Sequence, residues 1–325
     1  MSALASVSPV SLKELQAYIP EWQKFEDFYR TTLRSEIYRN NWLLEKLGEF
    51  LLRRSGKKVR PLLLLYTAKA SGQINFRSIL GATLIEILHN ATLVHDDVVD
   101  DSDYRRGFFS LRALWGNKVA VLFGDWLLAR GLLIALRHNE PQLLYYTSEA
   151  VEALTEGEFL QLKRMREASI DTQEYFTIIE KKTAALFQST CRMGAWSAGA
   201  SEEVIETAGE IGRLLGIAFQ IRDDLLDWSE FRHTGKPTDA DRKQKRFTLP
   251  VLWAIQHASH KVRKAILQEP FPQVKQILQD VGAFDYAEQT LSYYAERAHA
   301  LAKRLPYAAT LPFAELLHML IYRSQ

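Results

Sequence analysis

The stretch from Leu93 to Gly107 reads LVHDDVVDDSDYRRG. An apolar segment leads into five aspartates, and two arginines close the run. Carboxylates crowded beside a buried segment repel one another unless a cation is bound among them. A second acidic box of the same DDxxD form occurs in FQIRDDLLDW, from Phe219 to Trp228. One box arises easily by chance, whereas two boxes that both follow apolar segments indicate a shared cation-binding function.

Helical periodicity extends outward from both boxes. Before the first box, Leu84, Leu88 and Ala91 recur at spacings of four and three, which predicts a helix. Residues 119–136 are apolar nearly all round, which predicts a helix buried in a large bundle. The chain has only 16 Gly and 10 Pro, and no composition shift marks a linker. We therefore predict one all-α domain over residues 1–325, a single-domain bundle of long helices.

Composition limits the function classes. The formal net charge is only +2, so bulk electrostatics does not indicate a nucleic-acid partner. The single Cys191 rules out a disulfide within the chain and fits a reducing compartment. The N-terminal segment lacks the basic and apolar parts of a signal peptide, and no apolar run reaches the roughly 18 residues of a membrane span. We expect a cytoplasmic protein without a transmembrane segment.

The boxes have the geometry of magnesium ligands. On a helix, the first and last aspartates of a box lie one turn apart on the same face, with the middle one beside them. The aspartates are Asp96, Asp97 and Asp100 in the first box and Asp223, Asp224 and Asp227 in the second. Mg²⁺ typically takes one or two carboxylates together with waters and substrate phosphates. Solvated helix ends are the alternative interpretation for either box alone.

Basic residues around the boxes indicate what the metal would hold. They are Lys57, Lys58, Arg60, Arg105, Arg106, Lys182 and Lys236. Arginine grips a diphosphate through two parallel hydrogen bonds, and lysine binds it as a point charge. Each of these cations taken alone is better explained as a solvated surface charge.

From Ser55 to Pro250 the chain resembles the trans-isoprenyl diphosphate synthases, or polyprenyl synthetases, which join isopentenyl diphosphate to allylic diphosphates. The motifs occur in the family's order: SGKKVRP, DDVVD, RRG, ALWGNKVAVLFGD, KTAALF, FQIRDDLLD, TGKP and TLP. The resemblance implies the isoprenoid synthase fold, in which helices surround a deep central cavity. It also implies a homodimer and about three Mg²⁺ ions per active site. A hydrophobic product gives a reason for peripheral membrane contact during its release.

The resemblance implies roles for individual residues. The metal ligands would be Asp96 and Asp100, supported by Asp97, and Asp223, with Asp224 and Asp227 nearby. The isopentenyl diphosphate site would consist of Lys57, Arg60, His89 and Arg106. The allylic diphosphate would contact Arg105, Lys182, Thr183, Gln220 and Lys236. The catalytic set would be Asp96, Asp100, Asp223, Lys182 and Arg105.

The chain also departs from the family pattern. The replaced positions are Ser55 and Lys58 in SGKKVRP, Phe108 and Phe109 where a lysine and a proline are usual, and Asp239 and Arg246 before TLP. Because Lys57 and Arg60 are kept, the first departure concerns the geometry of the loop more than its binding groups. The second departure removes a positive charge near the mouth of the predicted site.

These residues can support ionisation, condensation and elimination. Mg²⁺ and basic side chains would neutralise the diphosphate leaving group, so that the allylic C–O bond breaks to a carbocation. The double bond of isopentenyl diphosphate, held nearby, would attack that cation. The departing diphosphate would then remove a proton. Because water would convert the cation to an alcohol, an apolar cavity beneath the carboxylates is expected.

Three other functions compete with this one. A ferritin-like di-iron protein would use the E-x-x-H pairs Glu86–His89 and Glu315–His318, but it leaves both acidic boxes unexplained. A non-catalytic partner subunit usually loses one box, and this chain keeps both. A terpene cyclase would share the metal logic without needing a second diphosphate site.

The product length depends on residues before the first box. Ala91 lies five residues before Asp96, roughly 7.5 Å along the helix axis at 1.5 Å per residue. An aromatic residue there or at Thr92 blocks growth in short-chain relatives, and both residues are small here. With Leu88 one turn deeper, they predict a medium-to-long polyprenyl diphosphate, of the length used for a quinone side chain. A farnesyl or geranylgeranyl product is the alternative, with Phe123 or Trp126 on the next apolar helix as a stop further down. The small size of Ala91 is otherwise explained by packing against a neighbouring helix.

Overall fold

The computed structural model describes residues 4, 6–37, 41–54, 56–105, 108–167, 171–228 and 247–322. The helices of the N-terminal half are α1 (Leu12–Ala17), α2 (Trp22–Ile37), α3 (Trp42–Arg53), α4 (Val59–Ser71), α5 (Phe76–Val99), α6 (Leu111–Trp115), α7 (Asn117–Arg137) and α8 (Pro141–Glu167). A short antiparallel pair, β1 (Tyr104–Arg105) and β2 (Phe108–Phe109), lies between α5 and α6.

The C-terminal half is also helical where it is described. Its helices are α9 (Thr172–Ile179), α10 (Ala185–Ser197), α11 (Glu202–Asp227), α12 (Leu249–His257), α13 (His260–Gln268), α14 (Phe271–Asp280), α15 (Ala283–Ala302) and α16 (Phe313–Tyr322). A π-helical turn, Glu180–Ala184, joins α9 to α10, and a 3₁₀ turn, Ala308–Thr310, precedes α16. The prediction of an all-α bundle of long helices is confirmed.

Helix α5 carries the first acidic box and packs against α2, α4, α7 and α10. Its N-terminus is closed by a capping box, in which Asn75 accepts from backbone N–H groups and the Ser78 hydroxyl accepts from the Asn75 N–H. Most of its side chains up to Ala91 are buried. Helices pack around it on several sides, which is why its sequence is apolar on more than one face.

Helix α11 carries the second box and packs against α10, α15 and the π-helical turn. Two glycines make this approach possible. A Cβ atom at Gly212 would lie 2.4 Å from the carbonyl oxygen of Phe187, and one at Gly216 would lie 2.4 Å from Cα of Ala184. Because both positions lack side chains, the turn that carries Lys182 lies directly against α11.

Helix α7 differs from its prediction. One face packs on α5, but Val121, Leu122, Leu132, Leu133 and Leu136 are exposed. The prediction of burial on all sides was wrong for the single chain. An apolar composition is found in interaction surfaces as well as in cores, so it does not by itself predict burial within the chain. By length and composition α7 could cross a membrane, although only 33% of its most apolar window is buried and core helices of soluble proteins pass the same test.

Candidate active site

The two acidic boxes end α5 and α11, as the spacing predicts, and they share a burial pattern. In each box the middle aspartate is buried and the outer two are partly exposed. The partly exposed residues are Asp96 and Asp100 in the first box and Asp223 and Asp227 in the second. The outer carboxylates therefore suit a metal that takes a few protein oxygens and completes its shell from substrate.

Asp97, the middle aspartate of the first box, forms an ion pair with Arg105 of the β1–β2 hairpin. Arg105 Nε donates to Asp97 Oδ1 at 2.7 Å, and the Asp97 side chain is 6% exposed. Backbone pairing strengthens the turn, because the Ser102 N–H donates to the Asp97 carbonyl at 2.9 Å. Arg105, which the sequence predicted to contact the allylic diphosphate, is thus fixed beside the box.

The middle aspartate of the second box is surrounded by protein donors. Tyr175 Oη and the Leu249 N–H donate to Asp224 Oδ2 at 2.8 and 3.0 Å, and Gln220 Nε2 donates to Oδ1 at 3.1 Å. Burial raises the pKa of Asp224 to about 6, and these hydrogen bonds oppose the shift. The geometry therefore places Asp224, predicted as a metal residue, inside the packing of α9, α11 and α12.

Lys182 lies close to the first box. Burial raises the pKa of Asp96 to about 6, and the nearby cations Lys182 and Arg105 oppose that shift. One residue further on, the hydroxyl of Thr183 donates to Gln220 Oε1 of α11 at 2.8 Å. The π-helical turn thus brings a cation to the first box and a hydroxyl to the helix of the second. Single π-helical turns within helices frequently mark functional sites.

Sequence reasoning missed the acidic and amide partners of Lys182. Its Nζ pairs with Glu158 Oε1 at 2.6 Å and donates to Gln161 Oε1 at 3.2 Å. Both partners lie on α8, and their spacing of three residues on one helix face is the signal that could have found them. Gly157 lets α8 approach the π-helical turn, because a Cβ atom there would lie 2.7 Å from the backbone nitrogen of Lys182.

Two of the four residues predicted for isopentenyl diphosphate, Arg60 and His89, lie in contact. Arg60 Nη1 lies 2.9 Å from His89 Nε2, which joins the start of α4 to α5. The Arg60 guanidinium also stacks over the Phe187 ring at 4.9 Å. Lys57 is exposed in the loop before α4. Several predictions lie outside the described residues, namely Arg106 and Lys236 among the ligands and Ser55, Asp239 and Arg246 among the departures.

The aromatic pair that replaces lysine and proline has a structural partner. Arg54 Nη1 donates to the Phe109 carbonyl at 2.8 Å. The Arg54 guanidinium lies 4.2 Å from the Phe50 ring and 4.9 Å from the Phe108 ring. Tyr104 packs against Phe109 with ring centroids 4.7 Å apart. The hairpin is therefore attached to the end of α3 by stacking on an arginine.

The predicted chain-length residues lie on the buried side of α5. Ala91 is fully buried, and Leu88 is nearly so. The Thr92 hydroxyl donates to the His89 carbonyl at 2.9 Å. On α7, Phe123 is buried and stacks with Trp126 at 5.8 Å between ring centroids. The small side chains thus occur where the sequence predicted them, within the helix below the first box.

A metal site made by protein alone is not found among the described ranges, where no three His, Cys, Asp or Glu side chains converge suitably. The di-iron alternative needs such a cluster. Of its two E-x-x-H pairs, the first is engaged otherwise, because Glu86 is buried beside Asn90 and His89 contacts Arg60.

Comparison with known proteins decides the family. The family model for polyprenyl synthetase matches residues 41–281. The chain belongs to the polyprenyl synthetase family. It is 34% identical over 276 residues to the octaprenyl diphosphate synthase of Escherichia coli, covering 81% of this chain and 84% of that one. It is 33% identical over 264 residues to the geranylgeranyl diphosphate synthase of Methanosarcina mazei, covering 78% and 81%.

The fold comparison agrees. The crystal structure of a decaprenyl diphosphate synthase from Rhodobacter capsulatus superposes with a TM-score of 0.86 at 28% identity, covering 97% of this chain and 100% of that one. The predicted isoprenoid synthase fold and trans-prenyltransferase activity are confirmed. Polyprenyl synthetases are magnesium-dependent enzymes that use isopentenyl diphosphate and an allylic diphosphate. The di-iron alternative is wrong.

Proposed function

We propose that this polyprenyl synthetase makes a medium-to-long all-trans polyprenyl diphosphate, of the length used for a quinone side chain. The observation that carries the active-site assignment is the position of the π-helical turn. Lys182 acts electrostatically on Asp96, while Thr183 bonds to Gln220, which in turn bonds to Asp224. One diphosphate placed at this turn would face the outer aspartates of both boxes.

The partly exposed outer aspartates suit Mg²⁺ ions that complete their shells from substrate, and about three such ions are proposed for each active site. Asp96 and Asp100 would hold the metal on one side, and Asp223 with Asp227 would hold it on the other. When bound, Mg²⁺ supplies charge neutralisation for the leaving diphosphate. Asp97 and Asp224 would keep the helix ends in position, because their oxygens accept hydrogen bonds from protein groups.

The basic residues divide between two diphosphates. Lys182, Arg105 and Thr183 would hold the allylic diphosphate next to the first box. Arg60, with His89 at 2.9 Å and Lys57 in the adjoining loop, would hold isopentenyl diphosphate. Each diphosphate fixes its hydrocarbon part, so that the double bond is held close to the allylic carbon. The buried apolar face of α5 would keep water from the carbocation.

The exposed apolar face of α7 supports a homodimer. Leu122 and Leu136 are 58% and 56% exposed, and Leu132 and Leu133 are also exposed. A patch of this kind on a single chain indicates a protein surface that is covered in the assembly.

The contiguous buried core of the described residues, from Leu4 to Ile321, supports one domain over residues 1–325. The exposed aromatics of the hairpin suit peripheral membrane contact, and a cytoplasmic location is part of the proposal.

Product sizing tests the proposed length. The enzyme would be incubated with Mg²⁺, isopentenyl diphosphate and several allylic primers. We expect a chain longer than geranylgeranyl from the parent. Ala91→Phe should shorten it by several isoprene units while keeping the first condensation, because a ring at this level of α5 would stand in the path of the growing chain. A parent that stops at farnesyl diphosphate, or an unchanged length in the variant, would contradict the proposal.

A further inference from the structure

Lys58 is buried within a loop whose other basic residues face substrate in the proposed site. It lies between Lys57 and Arg60, yet its own side chain is 4% exposed. Its Nζ donates to Glu26 Oε2 of α2 at 2.5 Å. A lysine is almost never fully buried without a charged partner, because the ammonium loses its hydration. Glu26 therefore fixes Lys58, and with it the loop, to α2.

The backbone conformation of Lys58 also determines the course of the loop. Lys58 is the N-cap of α4 and has φ 49° and ψ 42°, in the left-handed region. A residue with a Cβ atom adopts this conformation at a cost that glycine avoids. The anchored side chain compensates for that cost. The left-handed residue turns the chain sharply between Lys57 and the first turn of α4, which carries Arg60.

A second contact extends from Lys58 to α5. The Lys58 Nζ lies 4.8 Å from the centroid of the Tyr29 ring, and Tyr29 is fully buried. Asn90 Nδ2 donates to Tyr29 Oη at 3.4 Å and to the Glu86 carbonyl at 2.7 Å. Asn90 is the neighbour of His89. Helix α2 thus touches both chain segments that carry the proposed isopentenyl diphosphate residues.

We propose that Glu26 and Lys58 are a positioning pair for the isopentenyl diphosphate subsite. Helix α2, which precedes residues 41–281 matched by the family model, braces the loop of Lys57 against α5. The pair touches no substrate. It fixes the direction of the basic loop, so that Lys57 and Arg60 meet one diphosphate together. This inference rests on the proposed assignment of that subsite.

Three variants test the pair through the two substrates. Glu26→Gln and Lys58→Met should each raise the KM for isopentenyl diphosphate about tenfold, because a charge-assisted hydrogen bond is lost. The KM for the allylic substrate should stay within about twofold. Lys58→Arg should keep the KM for isopentenyl diphosphate much closer to that of the parent than Lys58→Met does, since arginine keeps the charge that Glu26 binds. Steady-state kinetics with each substrate varied in turn gives these values, and thermal unfolding reports stability.

Matched variants separate positioning from general stability and from the subsite itself. Arg77→Met removes another ion pair of α5, to Glu140 at 2.7 Å, near the opposite end of that helix. It should change neither KM. Lys57→Ala removes a proposed ligand and should raise the KM for isopentenyl diphosphate.

The outcomes test separately the positioning pair and the isopentenyl diphosphate subsite on which it rests. An effect of Lys57→Ala without one from Glu26→Gln overturns the positioning pair and leaves the subsite standing. No effect of Lys57→Ala overturns the subsite, and the positioning inference falls with it. Equal increases in both KM values, or a matching increase in Arg77→Met, would show a structural role only. If Lys58→Met does not fold, Glu26→Gln decides alone, because it leaves the loop sequence intact.

Discussion

The two acidic boxes share a spacing and a burial pattern but are held in place differently. Their middle aspartates are 4% and 5% exposed, in the first and second box respectively. Asp97 accepts from Arg105, eight residues further along the chain. Asp224 accepts from Tyr175 and from the Leu249 N–H. The first box is tied by a charged pair to its own hairpin, and the second by neutral donors to α9 and α12.

This difference separates function from stability. Arg105 is a proposed ligand of the allylic diphosphate, so the partner of Asp97 is itself part of the site. Two partners of Asp224, Tyr175 and the Leu249 N–H, bind no substrate in the proposed site and instead join three helices, and only the third, Gln220, was predicted to contact the allylic diphosphate. A change at Asp97 should therefore act mainly on substrate binding, and a change at Asp224 mainly on folding. The outer aspartates of both boxes should act on catalysis alike.

The largest effect is expected from the outer aspartates. Asp96→Ala and Asp223→Ala should each lower kcat by on the order of 10³, because in either case the Mg²⁺ that would neutralise the leaving diphosphate loses a carboxylate ligand. EDTA should do the same to the parent. Asp101→Asn is the control, since this neighbouring side chain is 83% exposed and asparagine tolerates its left-handed backbone conformation. Turnover assays with circular dichroism measure this, and activity within about tenfold of the parent in either variant would refute equal roles for the boxes.

A smaller effect should distinguish the two substrates. Lys182→Ala removes the cation next to Asp96 and should impair mainly the allylic side. Arg60→Ala should raise mainly the KM for isopentenyl diphosphate. Each loss of a charge-assisted contact should cost about 1.5–3 kcal/mol in kcat/KM for the affected substrate. Initial rates with each substrate varied test this, and equal effects of both variants on both substrates would contradict the division of the basic residues.

How much of this site the sequence predicts depends on how local each contact is. The helix ends, the outer aspartates and the approach of Arg60 to His89 follow from spacing and from the family resemblance. The bond between Asp224 and the Leu249 N–H does not, because it joins positions 25 residues apart through tertiary packing. The π-helical turn at Lys182 was missed because one extra residue in a turn barely changes apolar periodicity.

The stability of the two boxes should differ. In Asp224→Asn an amide NH₂ group replaces one carboxylate oxygen, either Oδ2, which accepts two hydrogen bonds, or Oδ1, which accepts one. In both cases a buried donor of the protein then faces the N–H donors of the new amide. The substitution should lower the free energy of unfolding by about 2–3 kcal/mol. Asp97→Asn should lower it by about 1 kcal/mol, because Arg105 is partly exposed and can turn to water. Urea unfolding measures both, and a larger loss at Asp97 would reverse the comparison.

The smallest expected effect is a pH dependence above pH 10, which only the second box should show. Burial, and next the charge of Asp224, raises the pKa of Tyr175 well above its ordinary value of 10. Below pH 10 the tyrosine is protonated in both the folded and the unfolded chain. Above pH 10 only the unfolded chain ionises, so the free energy of unfolding falls as the pH rises.

Tyr175→Phe isolates this contribution from those of other tyrosines. The variant should be about 1 kcal/mol less stable than the parent at pH 8, because the hydrogen bond to Asp224 is lost. Above pH 10 that gap should narrow by up to about 1.4 kcal/mol per pH unit, since phenylalanine has no proton to lose. Asp97→Asn should keep a constant gap to the parent, because its partner is an arginine. Urea unfolding from pH 8 to pH 11 decides this, and a constant gap for Tyr175→Phe would mean that Tyr175 ionises in the folded protein as readily as in the unfolded chain.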